Sequence, residues 1–252
     1  AGLSVNVLLA SNALIGDAEA WLRDAWVSTG GDTQVRAHNG GQVTADNRAQ
    51  ANSTGSAIGA TLAFNTVGWQ EVDWASASLD ALLGTALGEE QPVQSLATLS
   101  NTLLDVVGDL NVSATSTPQI AAHIEQAVGA AGGSAAVGMV LASNAVSSRA
   151  GALLTPKSLS GAPLLTSGAT WQVGGNVAIK ASDSAGIVAD IASGVASQGG
   201  AALGAQVVRN DVRGAVQAVF DQLDLAAGGD VTLLARGSAT ILAHLGDAPD
   251  AL

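Results

Sequence analysis

The chain has 252 residues, 48% of them hydrophobic and 12% charged, with 31 glycines, 5 prolines, no cysteine and no tyrosine. Its formal charge of -12, from 21 acids against 9 bases, repels phosphate backbones and anionic headgroups, which excludes nucleic acid and membrane-surface partners. Lack of cysteine rules out disulfides and thiolate metal sites, and so few charges cannot cover the exposed faces of an α-helical repeat array.

Four units tile the sequence: 1–53, 54–132, 133–198 and 199–252. Unit one sets Val5 and Leu9 before Asn12 and Leu14 after it. Apolar residues there alternate with small or polar ones, which predicts a strand with one buried face. A Gly30-Gly31-Asp32 turn follows, then Val35 and Ala37, a short bend and Val43, which predicts two further strands. Unit two repeats the pattern with Ile58, Leu62, Asn65 and Val67, the turn Gly108-Asp109, and Val112, Ala114 and Ile120. Unit three has Val137, Leu141, Asn144 and Val146, then Gly174-Gly175-Asn176, then Ile179, Ala181 and Ile187. Unit four has Leu203, Val207, Asn210 and Val212, then Gly228-Gly229-Asp230, then Leu233, Ala235 and Ile241. Six residues before each asparagine stands Asn6, Gly59, Gly138 or Gly204.

From asparagine to turn residue the spacing is 20 residues in units one and four, 44 in unit two and 32 in unit three. The extra residues are placed near 76–104 and 154–168, at one phase of the repeat, where insertions emerge on one side of a solenoid. In the first insert Leu96, Leu99 and Leu103 stand at helical spacing, which predicts a short helix lying on the sheet.

These columns predict an all-β chain, a parallel β-helix (β-solenoid) of four imperfect repeats with inserts in repeats two and three, forming a single array over 1–252. Two coils per unit are expected, with equivalent columns two strand spacings apart, and a fifth unit would begin one residue past the last. Asn12, Asn65, Asn144 and Asn210 are expected to stack as a structural ladder that also satisfies backbone groups at a bend. Asp32, Asp109, Asn176 and Asp230 cap turns; one carboxylate per unit is too few for calcium.

The segment Ala226-Ala227-Gly228-Gly229-Asp230-Val231-Thr232-Leu233-Leu234-Ala235 resembles the repeats of filamentous haemagglutinin-like and other giant bacterial surface adhesins. Gly138-Met139-Val140-Leu141-Ala142-Ser143-Asn144-Ala145-Val146 is similar to the companion segment of very long repetitive exoproteins. The likeness covers all four units, except that the inserts of units two and three break the regular length. It implies a right-handed β-helix exported to the bacterial cell surface for adhesion, biofilm cohesion or fibre formation.

Candidate chemistry is sparse. His38, His123 and His244 lack an oriented partner in sequence; His123 and His244 share a column with Asp46 and Asp190, which reads as a solvated strand face. His123 with Glu125 is the one close His/carboxylate pair, and without a third ligand it does not make a zinc site. Asp211 clusters with Arg209 and Arg213. Trp69, Glu71, Asp73 and Trp74 have the composition of a glycan-stacking surface, although large aromatics are more often spent on edge-strand packing. Hydrolase elbows, phosphate loops and HExxH are missing, and no catalytic residue, cofactor or metal is assigned. The uncharged run 126–148, with Gly129 and Gly133, is matched by runs at 51–70 and 191–208 in the same repeat phase, so all three read as buried strands rather than membrane helices.

The expected function is therefore that of a non-enzymatic structural or adhesive segment of a long extracellular surface protein or fibre. Its partners would be further copies or further repeats of itself end to end, with lateral fibre contacts through inserts 76–104 and 154–168. The alternative is a carbohydrate-active or glycan-binding β-helix using the Trp69 cluster.

Overall fold

The computed structural model describes residues 2–70, 89–132, 135–155, 170–221 and 224–247, and every regular element among them is a strand. The first pass of the chain carries β1 (Leu3–Leu14), β2 (Ala18–Arg23), β3 (Trp26–Thr29), β4 (Thr33–Asn39) and β5 (Gln42–Ser53). The second carries β6 (Ser56–Val67), β7 (Val93–Ser100), β8 (Leu103–Val106), β9 (Leu110–Ser116) and β10 (Gln119–Ala130). In the third and fourth passes neighbouring strands fuse. These are β11 (Ala136–Thr155), β12 (Thr170–Val173) and β13 (Val177–Ser197), then β14 (Ala202–Phe220), β15 (Asp224–Ala227) and β16 (Val231–Gly246).

Three parallel sheets result, giving an all-β, solenoid-like fold. The first stacks β1, β6, β11 and β14, with β2 and β7 beside the second half of β11. The short second sheet runs β3, β8, β12, β15. The third joins β4, β9 and β5, β10 to the two halves of β13, which β16 covers. Each pass, or rung, visits all three sheets once.

One rung per unit corrects the expectation of two. Asn12 pairs directly with Asn65, Asn65 with Asn144, and Asn144 with Asn210, so equivalent columns stand one strand spacing apart, about 4.8 Å. The length of a unit goes into a wide three-sided rung with strands of up to 21 residues, rather than into two small coils.

The insert of unit three lies where it was expected, between Thr155 and Thr170, but that of unit two is shifted. Leu14 and Val67 share a column, and the next shared columns resume at Ala18 and Ser95, so the extra residues of unit two lie between Val67 and Val93. Those of unit three lie in sequence between Thr155, the end of β11, and Thr170, the start of β12. The two insertions therefore leave the rung at different phases. Residues 71–88 and 156–169 are outside the described residues. The expected helix is replaced by β7 and β8: Ser95, Ala97 and Leu99 face inward at period two, while Leu96 points to the other face. Pairing of β7 on both edges, by β2 and β11, outweighs the leucine spacing.

The interior is narrow, and this reverses the side on which the first strand is buried. Gly59 and Gly138 face inward, where an added Cβ would stand 2.6 Å from Val128 Cγ2 and 2.6 Å from Val195 Cγ2 respectively. Larger neighbours must then point out: Val5, Ile58, Val137 and Leu203 are 58%, 40%, 36% and 64% exposed. Away from this constriction the core takes branched residues. Ile120 and Ile187 meet Val67 and Val146, and Ile124 and Ile191 meet Val140. Full burial of each such side chain contributes about 1.5–3 kcal/mol. At the second sheet Trp171 is buried, donates Nε1–H to the Thr102 carbonyl at 2.7 Å, and stands edge-on to Phe220.

Candidate functional site

Two hydrogen-bonded ladders run along the stack. In the first, each asparagine donates its Nδ2 to the Oδ1 of the next: Asn12 to Asn65 at 2.9 Å, Asn65 to Asn144 at 2.9 Å, and Asn144 to Asn210 at 2.8 Å. Asn65 and Asn144 are fully buried, so these bonds satisfy groups that have no water. The amides bond to one another along the axis rather than to the backbone of a bend.

The second ladder links turns. Asp32 Oδ1 accepts the Asp109 N–H at 2.9 Å, Asp109 Oδ1 accepts the Asn176 N–H at 2.7 Å, and Asn176 Oδ1 accepts the Asp230 N–H at 2.9 Å. The glycine before each acceptor column has a steric cause. A Cβ on Gly108, Gly175 or Gly229 would collide with the side-chain oxygen of the rung beneath. The Asp32 and Asp109 carboxylates are committed to backbone donors. Among the described residues no group of three or more His, Cys, Asp or Glu is placed to hold a metal ion.

On the outer face of the third sheet Asp46, His123, Asp190 and His244 alternate along one column. Asp190 is shared by both imidazoles, with His123 Nδ1 at 3.3 Å and His244 Nδ1 at 3.1 Å. Arg48 lies 3.2 Å from Asp46 and 3.7 Å from Glu125. Glu125 thus faces Arg48, and the partner of His123 is Asp190 from the next rung, not Glu125 from its own strand. His38 lies on β4, apart from this column. These groups are solvent-accessible, and their contacts link exposed side chains of successive rungs.

The proposed glycan surface is corrected at Trp69. That ring is 1% exposed, packed with Phe64 and Leu141, and covered by the Arg213 guanidinium at 4.8 Å, so no sugar can stack on it. Glu71, Asp73 and Trp74 lie outside the described residues. Arg213 bonds Glu90 at 2.9 Å and Asp211 at 2.9 Å, while Arg209 reaches Asp211 at 3.7 Å. The Arg209, Asp211, Arg213 cluster therefore ties rung four to the Glu90 segment of rung two.

Asp183 escaped the sequence reading. It sits at the inner bend of β13, 2% exposed, with Ser148 Oγ–H donating to Oδ2 at 2.8 Å. Burial pushes its carboxyl above the ordinary value, against the Ser148 hydrogen bond that pulls it down, and Oδ1 has no hydrogen-bond partner among the described residues. Gln126 is likewise fully buried, donating to Thr61 Oγ at 3.1 Å and to the Met139 carbonyl at 3.0 Å. Neither position differs in sequence from the polar residues that face outward.

Among the described residues no helix is long and apolar enough to cross a membrane, which says nothing about crossing by strands. No protein-family model matches the chain, and neither a curated protein nor a solved structure is significantly similar to it, so its function is read from the fold and its side chains alone.

Proposed function

We propose that this chain is a non-enzymatic structural and adhesive segment of a long bacterial surface protein or fibre: an extracellular parallel β-helix of four single-coil repeats that continues end to end. One observation carries the reading. In rung four Val231, Leu233, Ile241 and Leu245 face the interior and remain 56%, 53%, 50% and 51% exposed. Their register partners one rung below, Val177, Ile179, Ile187 and Ile191, are 1%, 0%, 0% and 0% exposed. A row of core side chains left half in water, beside the unpaired edge of a parallel sheet, is covered favourably by another rung.

Both ladders support the same continuation. Asn210 brings an amide donor to this face and Asp230 a carboxylate acceptor, the groups that link every rung to the next. The occupant of the face would be a further repeat or a second copy.

Light scattering and negative-stain electron microscopy over rising protein concentration test the proposal. Rods several times longer than four rungs are expected from the 252-residue chain. The double variant Leu233→Asp/Ile241→Asp should stay short while its circular dichroism remains that of a β protein. A monodisperse monomer of the unaltered chain at millimolar concentration would sink the reading. Immunolabelling of intact source cells checks the extracellular assignment, and signal seen only after lysis counts against it.

A further inference from the structure

Three of the chain's few cations gather on one surface without an acid among them. On the outer face of the third sheet Arg36 of β4, Ser113 of β9 and Lys180 of β13 form a single column, with Arg236 of β16 two residues along from the position above Lys180. Arg36 and Lys180 are two strand spacings apart, about 10 Å. The short Ser113 between them leaves a trough of about 350 Å³, floored by Asn111, Ser113 and Thr115 and rimmed by the three cations. The rim side chains are exposed and the floor residues half-buried. Among the described residues no acidic side chain pairs with Arg36, Lys180 or Arg236, whereas Arg48, Arg209 and Arg213 all have acidic partners.

We propose that this trough binds an acidic polysaccharide of low charge density, carrying carboxylates on roughly alternate sugars and lying along the stacking axis. Carboxylates meet Arg36 and Lys180, and sugar hydroxyls exchange hydrogen bonds with Asn111, Ser113 and Thr115. The size is at the lower end of what small ligands occupy, roughly 300–1,000 Å³. Widely spaced single cations suit a polymer whose charges are also widely spaced. A densely sulfated chain needs a continuous basic stripe and is repelled by a protein of net charge -12. A protein partner fits poorly, because the trough offers no aromatic or large apolar anchor apart from Leu234 at its edge. The site is independent of how the rungs continue, since it is complete within one chain.

Isothermal titration of the whole chain with a hyaluronan octasaccharide tests the proposal, at low salt and again at 150 mM NaCl. Saturable binding is expected, weakening at the higher salt. It should fall about tenfold or more in Arg36→Gln/Lys180→Gln and disappear in Ser113→Glu, which puts a carboxylate on the floor. Arg48→Gln, on the same sheet but outside the trough, should bind as the parent does. Neutral dextran oligosaccharide and sodium acetate should give no saturable signal, and dextran sulfate should bind no more tightly than hyaluronan. The proposal is overturned if hyaluronan does not bind at millimolar concentration, if the double variant binds equally well, or if neutral dextran or acetate binds as tightly. It is also overturned if the double variant changes self-association and leaves the hyaluronan titration untouched, which would mark the trough as a contact between copies. Rod length by microscopy reports separately on end-to-end stacking.

Discussion

Asn144 shows how much one side chain can carry in a narrow interior. It accepts from Asn65 and donates to Asn210 with no solvent in reach, so its removal orphans a donor below and an acceptor above. Each buried orphan costs about 1–3 kcal/mol, and Asn144→Ala should destabilise the chain by about 2–4 kcal/mol in urea unfolding. Asn12→Ala, at the partly exposed end of the same ladder, should cost less than half as much. Equal losses would mean that the ladder contributes little beyond packing. This register was legible because asparagine recurs at a fixed offset from apolar neighbours in all four units. Asp183 was not legible, since its inward direction depends on where β13 bends and on Ser148 of the first sheet, 35 residues earlier. Burial of Trp69 fits the packing alternative for these aromatics, but its cover, Arg213, is distant in sequence and was not legible.

At the scale of the strand, β13 holds a buried acid against β11 and β9. The carboxyl of Asp183 is raised in the fold, so its protonated form is the one the fold prefers. The stability it contributes is present at low pH and is lost as pH rises through the folded-state value. Asp183→Asn removes that dependence while retaining an acceptor for Ser148 and restoring the residue type that Asn39 supplies in the same column. The variant should be more stable than the parent by on the order of 1 kcal/mol at pH 7, with the difference shrinking toward pH 4. Urea midpoints at the two pH values measure this, and a variant less stable at pH 7 would show that the charged form is well accommodated. The strands themselves were legible where columns repeat. The insert boundaries were not, because no column crosses 68–92, and the leucine spacing in β7 imitates a helix until its two partner strands are known. Sidedness of β1 and β6 was hidden for a similar reason. In β6 it is imposed by Val128 on the opposite sheet, as Val195 imposes it in β11, which no local periodicity reveals.

For the molecule as a whole, stability should be graded along the stack, because each rung touches only its neighbours. Rung three is covered on both sides, and its inward isoleucines are sealed, whereas rung four shows its core to water. In dilute solution, amide hydrogen exchange should be fastest along β16 and slowest along β13, with opening free energies ordered by distance from the exposed face. Exchange at one uniform rate in both would indicate all-or-none unfolding of the four rungs together. Under conditions that favour long rods, β16 should become as protected as β13. The number of rungs could not be read from the repeat alone, since a unit of 53 or 54 residues is compatible with one wide rung or two small ones.

Both ladders have a direction. Along the asparagines every donor points toward rung four, and along the turns every acceptor does. Two rung-four faces brought together would set amide hydrogens against amide hydrogens and carboxylate against carboxylate, so face-to-face two-fold joints are disfavoured. An assembly built this way is a one-way street: its leading and trailing tips are chemically unlike, they should elongate at different speeds, and a molecule shaped to plug one of them would leave the other free to grow.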